Sequence, residues 1–277
     1  MSTSLLAVAV SGRGLVEPGD PVLAPDDEGF TRGRAAFETM RVYDGRPFRL
    51  PQHLTRLQGS AARIGLDPPD LGEIEALAAA ALERAGAAEA TLRLYWTPGS
   101  PDGAHRAIVM VGPIPAWIEE ARARGQHLVS LLHPRRSAPW LLPATKSTSY
   151  AVSMAAEAEA KARGADDAVF VDADDMVLEG PVTNIWWREG DVLLTPSLEL
   201  GILAGETRAA LLELATRRGM VVEEGRYPLE RVHAADEVFT SSSVREVMPV
   251  MSLDGRAFER GPYAADLQAA LRAEARR

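Results

Sequence analysis

Leu178-Glu179-Gly180-Pro181-Val182-Thr183-Asn184-Ile185-Trp186 and Leu203-Ala204-Gly205-Glu206-Thr207-Arg208, with Lys146 and Tyr150 upstream, are the stretch around which the rest of the chain is arranged. The first run reads as strand, tight turn and strand, because Gly-Pro interrupts two apolar segments. The second opens a helix from Gly205 to Arg218, with Gly219 placed to close it. Lys146 and Tyr150 stand where another helix begins, running from Thr148 to Arg163 with Gly164 as its C-cap.

Working outward, short strands are expected at Ala168 to Val171, Met176 to Leu178, Asn184 to Trp187, Val192 to Thr195, Glu237 to Thr240 and Val247 to Ser252. A terminal helix follows from about Tyr263. Upstream, Leu5 to Val10 reads as a first strand. Phe37 to Tyr43 runs into Asp44-Gly45, a hairpin signal returning through Arg46-Pro47-Phe48. Pro51 suits the first turn of a helix whose apolar positions Leu54, Leu57, Ala61 and Ile64 recur at helical spacing, with Arg56 off that stripe. A helix from Leu71 to Arg84 and strands from Thr91 to Trp96 and Ala107 to Val111 complete the first half. The turn-rich loop Thr97 to Gly103 joins the two strands, and an irregular segment runs through Pro139 and Pro143. Gly112-Pro113-Ile114-Pro115 resists both helix and central strand, placing a boundary between a small N-terminal domain, 1–115, and a larger C-terminal domain, 116–277. Strands alternating with helices read as α/β or α+β.

Composition narrows the possible functions. The 277 residues carry a net charge of −9 with basic and acidic groups interspersed, which argues against a nucleic-acid footprint. Without cysteine there are no disulfides and no thiolate metal sites, and nothing suggests secretion. The apolar run Leu5 to Val10 is too short for a membrane span and lacks a basic leader, so a soluble cytoplasmic protein is expected. His53, His105, His127, His133 and His233 show no paired metal spacing, and no metal is assigned. No nucleophile elbow, dinucleotide fingerprint or P-loop occurs.

What remains is a lysine, a carboxylate, a phenol and a helix start. An aldehyde cofactor such as pyridoxal phosphate needs an amine for the Schiff base, an acid at the pyridine nitrogen, a donor at the ring oxygen and a cup for the phosphate. Lys146, Glu179, Tyr150 and Gly205-Glu206-Thr207 are of the types that could supply these in order, the last because a helix N-terminus presents unpaired N–H groups. Each has a plainer reading alone: a surface lysine, a turn glutamate, a first-turn threonine.

The ordered series Phe37-Glu38-Thr39-x-Arg41-Val42, His53-Leu54-x-Arg56-Leu57, Lys146-x-x-x-Tyr150, Glu179-Gly180-x-x-x-Asn184-Ile185, Thr195-Pro196 and Gly201-Ile202-Leu203-x-Gly205-x-Thr207-Arg208 resembles the fold-type IV pyridoxal-phosphate enzymes. That family includes branched-chain and D-amino-acid aminotransferases, R-selective amine transaminases and aminodeoxychorismate lyases. The resemblance implies a two-domain enzyme, usually a homodimer with active sites at the subunit interface, taking an amino donor and a 2-oxo acid. It implies Lys146 as the Schiff-base lysine and proton shuttle, Glu179 at the pyridine nitrogen and Tyr150 at the ring hydroxyl. It further implies Arg56 on the phosphate, Leu203 against the ring, and Glu206, Thr207, Ser241 and Ser242 completing the cup. On sequence alone Ser241-Ser242-Ser243 is a plain loop, and Trp186-Trp187 reads as core packing.

Activities within the family differ in the substrate pocket, where Phe37, Thr39 and Trp96 are candidates. D-Amino-acid aminotransferases carry an Arg and a His in the loop after the strand ending near Trp96, and here those positions hold Pro98 and Ser100. Many relatives read Gly-Asp-Gly where this chain reads Gly33-Arg34-Ala35. Arg34, Arg41, His105 or Arg106 is therefore expected to hold the substrate carboxylate, the alternative being that Arg34 faces solvent or pairs with an acid. Thr39 matches a threonine of aminodeoxychorismate lyases. The resemblance thus implies transamination of a D-amino acid or R-amine by a ping-pong Schiff-base mechanism first. Release of pyruvate and 4-aminobenzoate from aminodeoxychorismate comes second and branched-chain L-amino-acid transamination third. Outside catalysis, the rival is a cofactor-free binding protein.

Overall fold

A computed structural model describes residues 5–100, 103–133 and 144–277. The chain divides into two compact units: Met1–Pro115 together with Thr145–Tyr150, and Ala116–Ala144 together with Ala151–Arg277.

The first unit is built on a six-stranded antiparallel sheet. Its strands are β1 (Ala7–Val10), β2 (Gly14–Val16), β3 (Ala36–Tyr43), β4 (Arg46–Pro47), β5 (Ala90–Thr97) and β6 (Arg106–Gly112), in the order β2-β1-β6-β5-β3-β4. Asp44 and Gly45 both take positive φ, 49° and 76°, so the β3–β4 turn has the twist that suits a two-residue hairpin. The single turn α1 (Glu28–Thr31) precedes β3, and α2 (Leu50–Arg63) and α3 (Leu71–Ala85) follow it. Leu54, Leu57 and Ala61 of α2 and Ile74, Leu77, Ala78 and Ala81 of α3 are buried against Met40, Val42, Leu92, Leu94, Val109 and Val111. Alternation along the strands therefore turns Phe37, Thr39 and Arg41 to the sheet face opposite the helices.

The second unit holds α4 (Trp117–Arg124), β7 (Gln126–Leu132), α5 (Ala151–Ala162), β8 (Asp167–Val171), β9 (Asn184–Glu189), β10 (Val192–Pro196) and α6 (Glu206–Arg217). It continues through β11 (Val221–Gly225), α7 (Leu229–His233), β12 (Glu237–Ser242), β13 (Glu246–Leu253), β14 (Arg256–Ala257) and α8 (Pro262–Ala275). The sheet is mixed, ordered β11-β10-β9-β12-β13-β7-β8, with β14 paired to β13. Ile185, Trp187, Val238 and Val250 point into one apolar cluster. Trp186 and Phe239 stack on the other face, where α6 and α8 pack on β12.

Two sequence expectations change. Residues 145–150 do not begin a helix: Phe37 N–H donates to Lys146 O and Thr148 N–H to Ala35 O, so this segment lies along the start of β3 and α5 begins only at Ala151. Met176 to Leu178 forms isolated bridges, Val177 to Val171 and Met176 to Pro228, in place of a strand. The irregular segment through Pro139 and Pro143, and Pro101-Asp102 of the Thr97 to Gly103 loop, lie outside the described residues.

Candidate active-site residues

In the first unit the backbone of Lys146 is anchored twice, its carbonyl accepting from Phe37 and its N–H donating to Ser60 Oγ over 3.2 Å. Its side chain crosses the Phe37 ring, with Nζ 4.3 Å from the centroid. Phe37 meets Tyr150 edge-on at 5.4 Å and stacks on Tyr95 at 5.8 Å. Burial lifts the Tyr95 phenol above its ordinary pKa, and the nearby Arg93 guanidinium works against that rise. Strand register places Tyr95 opposite Phe37 and Arg93 opposite Thr39. Lys146, Phe37, Tyr95, Arg93 and Thr39 therefore share the helix-free sheet face.

Glu38 points the other way, into the interface with α2, and is fully buried. Arg56 Nε and Nη2 donate to its two carboxylate oxygens at 2.8 and 2.6 Å, and His53 Nδ1 lies 2.7 Å from Oε2. Burial alone would raise the Glu38 pKa, but the bonds from Arg56 and His53 prevail and hold it at about 2. The guanidinium at the expected phosphate position is thus held rigidly by one edge.

The expected carboxylate-binding cations have other engagements. Arg34 donates to Ile64 O (3.0 Å), Gly65 O (2.6 Å) and Glu28 (2.6 Å), which closes the C-terminal end of α2. Arg41 reaches Glu89 at 3.2 Å, and Arg106 reaches Val22 O at 3.4 Å. His105 stacks on Trp96 at 5.4 Å and lies 3.4 Å from Asp67, while the Trp96 indole donates to Asp67 O. Trp96 belongs to the helix-side core, away from Phe37 and Thr39. Arg93, exposed in the middle of β5, was not among the sequence candidates. Alternation along Thr91 to Thr97 puts it in phase with Tyr95, but only the register of β5 on β3 puts it beside Thr39.

In the second unit, Glu179 precedes the tight turn at Gly180, where a β-carbon would stand 2.3 Å from Thr183 Oγ1. Its carboxylate accepts from Leu203 N–H at 3.0 Å and from Asn184 Nδ2 at 3.5 Å, and the same amide donates to Leu203 O at 3.1 Å. Asn184, the chain's single asparagine, therefore joins the carboxylate to the segment leading into α6. That helix starts at Gly205 without a side-chain cap, and a β-carbon there would lie 2.1 Å from Asn184 Oδ1. Thr207 is buried, yet its hydroxyl has no hydrogen-bond partner among the described residues, and the same holds for the hydroxyls of Ser242 and Ser243. Ser241 differs: its oxygen accepts from Trp186 Nε1 at 2.9 Å. Hydroxyls without acceptors and an uncapped helix N-terminus suit a phosphate, and an oriented carboxylate suits a protonated ring nitrogen. Among the described residues there is no group of three or more His, Cys, Asp or Glu that could hold a metal ion, and no helix is long and apolar enough to cross a membrane.

Residues 35–253 match the model of the class IV amino-transferase family, and the chain belongs to that family. It is 35% identical over 275 residues, covering 94% of this chain and 95% of the relative, to the bifunctional aminodeoxychorismate lyase / D-amino acid transaminase of Mycobacterium tuberculosis. A solved hypothetical aminotransferase from Mycobacterium tuberculosis in its PLP-bound form superposes with a TM-score of 0.91 at 35% identity, covering 97% of this chain and 98% of that one. The form of that aminotransferase bound to alpha-ketoglutarate and PMP gives 0.91 at 33% identity, over 97% and 99%. The fold is accordingly that of the fold-type IV enzymes, and the family's cofactor is pyridoxal 5′-phosphate.

Proposed function

We propose that this chain is a transaminase moving an amino group from a D-amino acid to a 2-oxo acid. The observation that carries the reading is the row Lys146, Phe37, Tyr95 and Arg93 on one sheet face. It puts a guanidinium on the same helix-free sheet face as the amine of Lys146. A cation there favours substrates with a carboxylate over neutral R-amines, because a guanidinium recognises that group with paired hydrogen bonds. The bifunctional relative is named for D-amino acid transamination beside the lyase reaction, and the neighbour bound to alpha-ketoglutarate supports a 2-oxo acid acceptor.

The bound cofactor would supply an electron sink for the carbanion at the substrate's Cα. Lys146 would hold it covalently and then, as a neutral amine, move the proton at Cα. Phe37 under Nζ restricts where that amine can swing. Glu179, oriented by Leu203 N–H and Asn184, would keep the ring nitrogen protonated. Tyr150 would hold the ring oxygen. Thr207, Ser242 and Arg56 would hold the phosphate, and Arg93 the substrate carboxylate.

One observation favours a second reading, the aminodeoxychorismate lyase. Thr39 lies directly across the strand pair from Arg93, on the same face as Lys146. A hydroxyl beside the amine and a cation would suit a substrate that loses pyruvate.

The deciding experiment is a single-substrate reaction. Holoenzyme is mixed separately with D-alanine, D-glutamate, L-leucine, R-1-phenylethylamine and aminodeoxychorismate, and its absorption near ~410–420 nm is followed. Lasting loss of the band with the D-amino acids is the expected result. Pyruvate and 4-aminobenzoate from aminodeoxychorismate, with the band returning and D-amino acids inert, would refute it.

A further inference from the structure

Trp186 sits in β9, an interior strand of the second unit's sheet, with no exposure, stacked on Phe239 at 6.0 Å and 9°. Packing alone would be satisfied by phenylalanine. An indole adds an N–H that must find an acceptor when buried. Here the acceptor is Ser241 Oγ, 2.9 Å away, on the last turn-ward residues of β12 and itself 1% exposed. A serine oxygen that accepts from an indole cannot rotate freely, and its neighbours Ser242 and Ser243 carry hydroxyls without partners among the described residues.

The same ring supports a second element. Arg208 follows Thr207 in the first turn of α6, is 3% exposed, and stands over the Trp186 ring at 5.8 Å. It donates to Pro196 O at 2.8 Å and to Glu224 at 2.5 Å, pinning the start of α6 to the ends of β10 and β11. One buried side chain thereby contacts both hydroxyl-bearing elements, by hydrogen bond to β12 and by its face to α6.

We propose that Trp186 is a positioning residue for the phosphate end of the cofactor, setting the end of β12 and the first turn of α6 as one anion cup. This rests on the assignment of Thr207 and Ser242 to phosphate binding. Trp186 touches neither cofactor nor substrate in this role; it acts through Ser241 and Arg208.

The test uses two ligands that differ only in the phosphate. Full-length wild type, Trp186→Phe and Ser241→Ala are titrated with pyridoxal 5′-phosphate and with pyridoxal, which attaches to Lys146 without a phosphate. Each substitution removes one buried hydrogen bond and should weaken pyridoxal 5′-phosphate binding roughly tenfold. Pyridoxal affinity should be unchanged, and the phosphorus-31 resonance of the bound cofactor should shift. The double variant should lose no more than either single one, since both remove the same bond. Equal weakening of both ligands, or of neither, would overturn the proposal; Ser241→Ala keeps the comparison available if Trp186→Phe folds poorly. Wild type that binds pyridoxal as tightly as its phosphate would instead overturn the assignment of the cup.

Discussion

Replacing Glu38 by glutamine removes a negative charge from a site with no solvent exposure while keeping the side chain's shape. In the folded chain the carboxyl titrates at about 2 against an ordinary 4.5, burial being outweighed by the hydrogen bonds from Arg56 and His53. At about 1.4 kcal/mol per pH unit that difference corresponds to about 3 kcal/mol of stability. Because the folded value is depressed, this contribution is complete well above the ordinary value and is lost as pH falls through the folded one. Linkage leaves a contribution of about 1 kcal/mol at a pH of about 3. Glu38→Gln should therefore be less stable than wild type by about 3 kcal/mol at neutral pH, in line with breaking a buried ion pair, with the gap narrowing by more than half near pH ~3. Pulse hydrogen labelling across a urea series, read on peptides from residues 36–63, isolates the first unit from the second. A gap below ~1 kcal/mol at neutral pH, or one that stays constant as the solution is acidified, would refute the linkage.

Three further outcomes follow from the same geometry. Gly205→Ala puts a β-carbon 2.1 Å from Asn184 Oδ1, so Asn184 must leave Leu203 and Glu179; the expected cost is about 1–3 kcal/mol in urea unfolding, with weaker cofactor binding by absorbance titration. Arg34→Ala frees Ile64 O, Gly65 O and Glu28, and should cost about 1–2 kcal/mol in thermal unfolding while leaving KM for D-amino acids unchanged. Lys146→Ala should leave no cofactor fixable to the chain by borohydride, seen by intact mass, and lower turnover by at least about 10²–10⁴.

The parts legible in the sequence were those with local causes. Asp44-Gly45 names its own hairpin because both positions need positive φ, and Pro51 with Leu54, Leu57 and Ala61 names α2 because helix spacing is a short-range property. The segment at Lys146 was misread because its hydrogen bonds go to Ala35 and Phe37, more than a hundred positions back, and no local pattern carries that pairing. Arg93 escaped for a related reason: alternation tells which strand residues share a face, while register decides which neighbours they meet. Asn184 stood in the motif from the outset, but its link to Glu179 and Leu203 exists only once two loops approach. Glu38 likewise was part of a motif whose partner, Arg56, lies on a different element.

The return of residues 145–150 to the first unit constrains how the chain can be made and cut. During synthesis, the start of β3 emerges long before the residues that complete its edge, so Phe37 N–H and Ala35 O must wait, hydrated, for Lys146 and Thr148. A fragment stopped at Pro115 would carry that gap permanently, exposing strand edge for intermolecular pairing. Supplying a peptide that spans residues 145–150 in trans would be the natural remedy, and the lysine proposed to hold the cofactor would arrive with it.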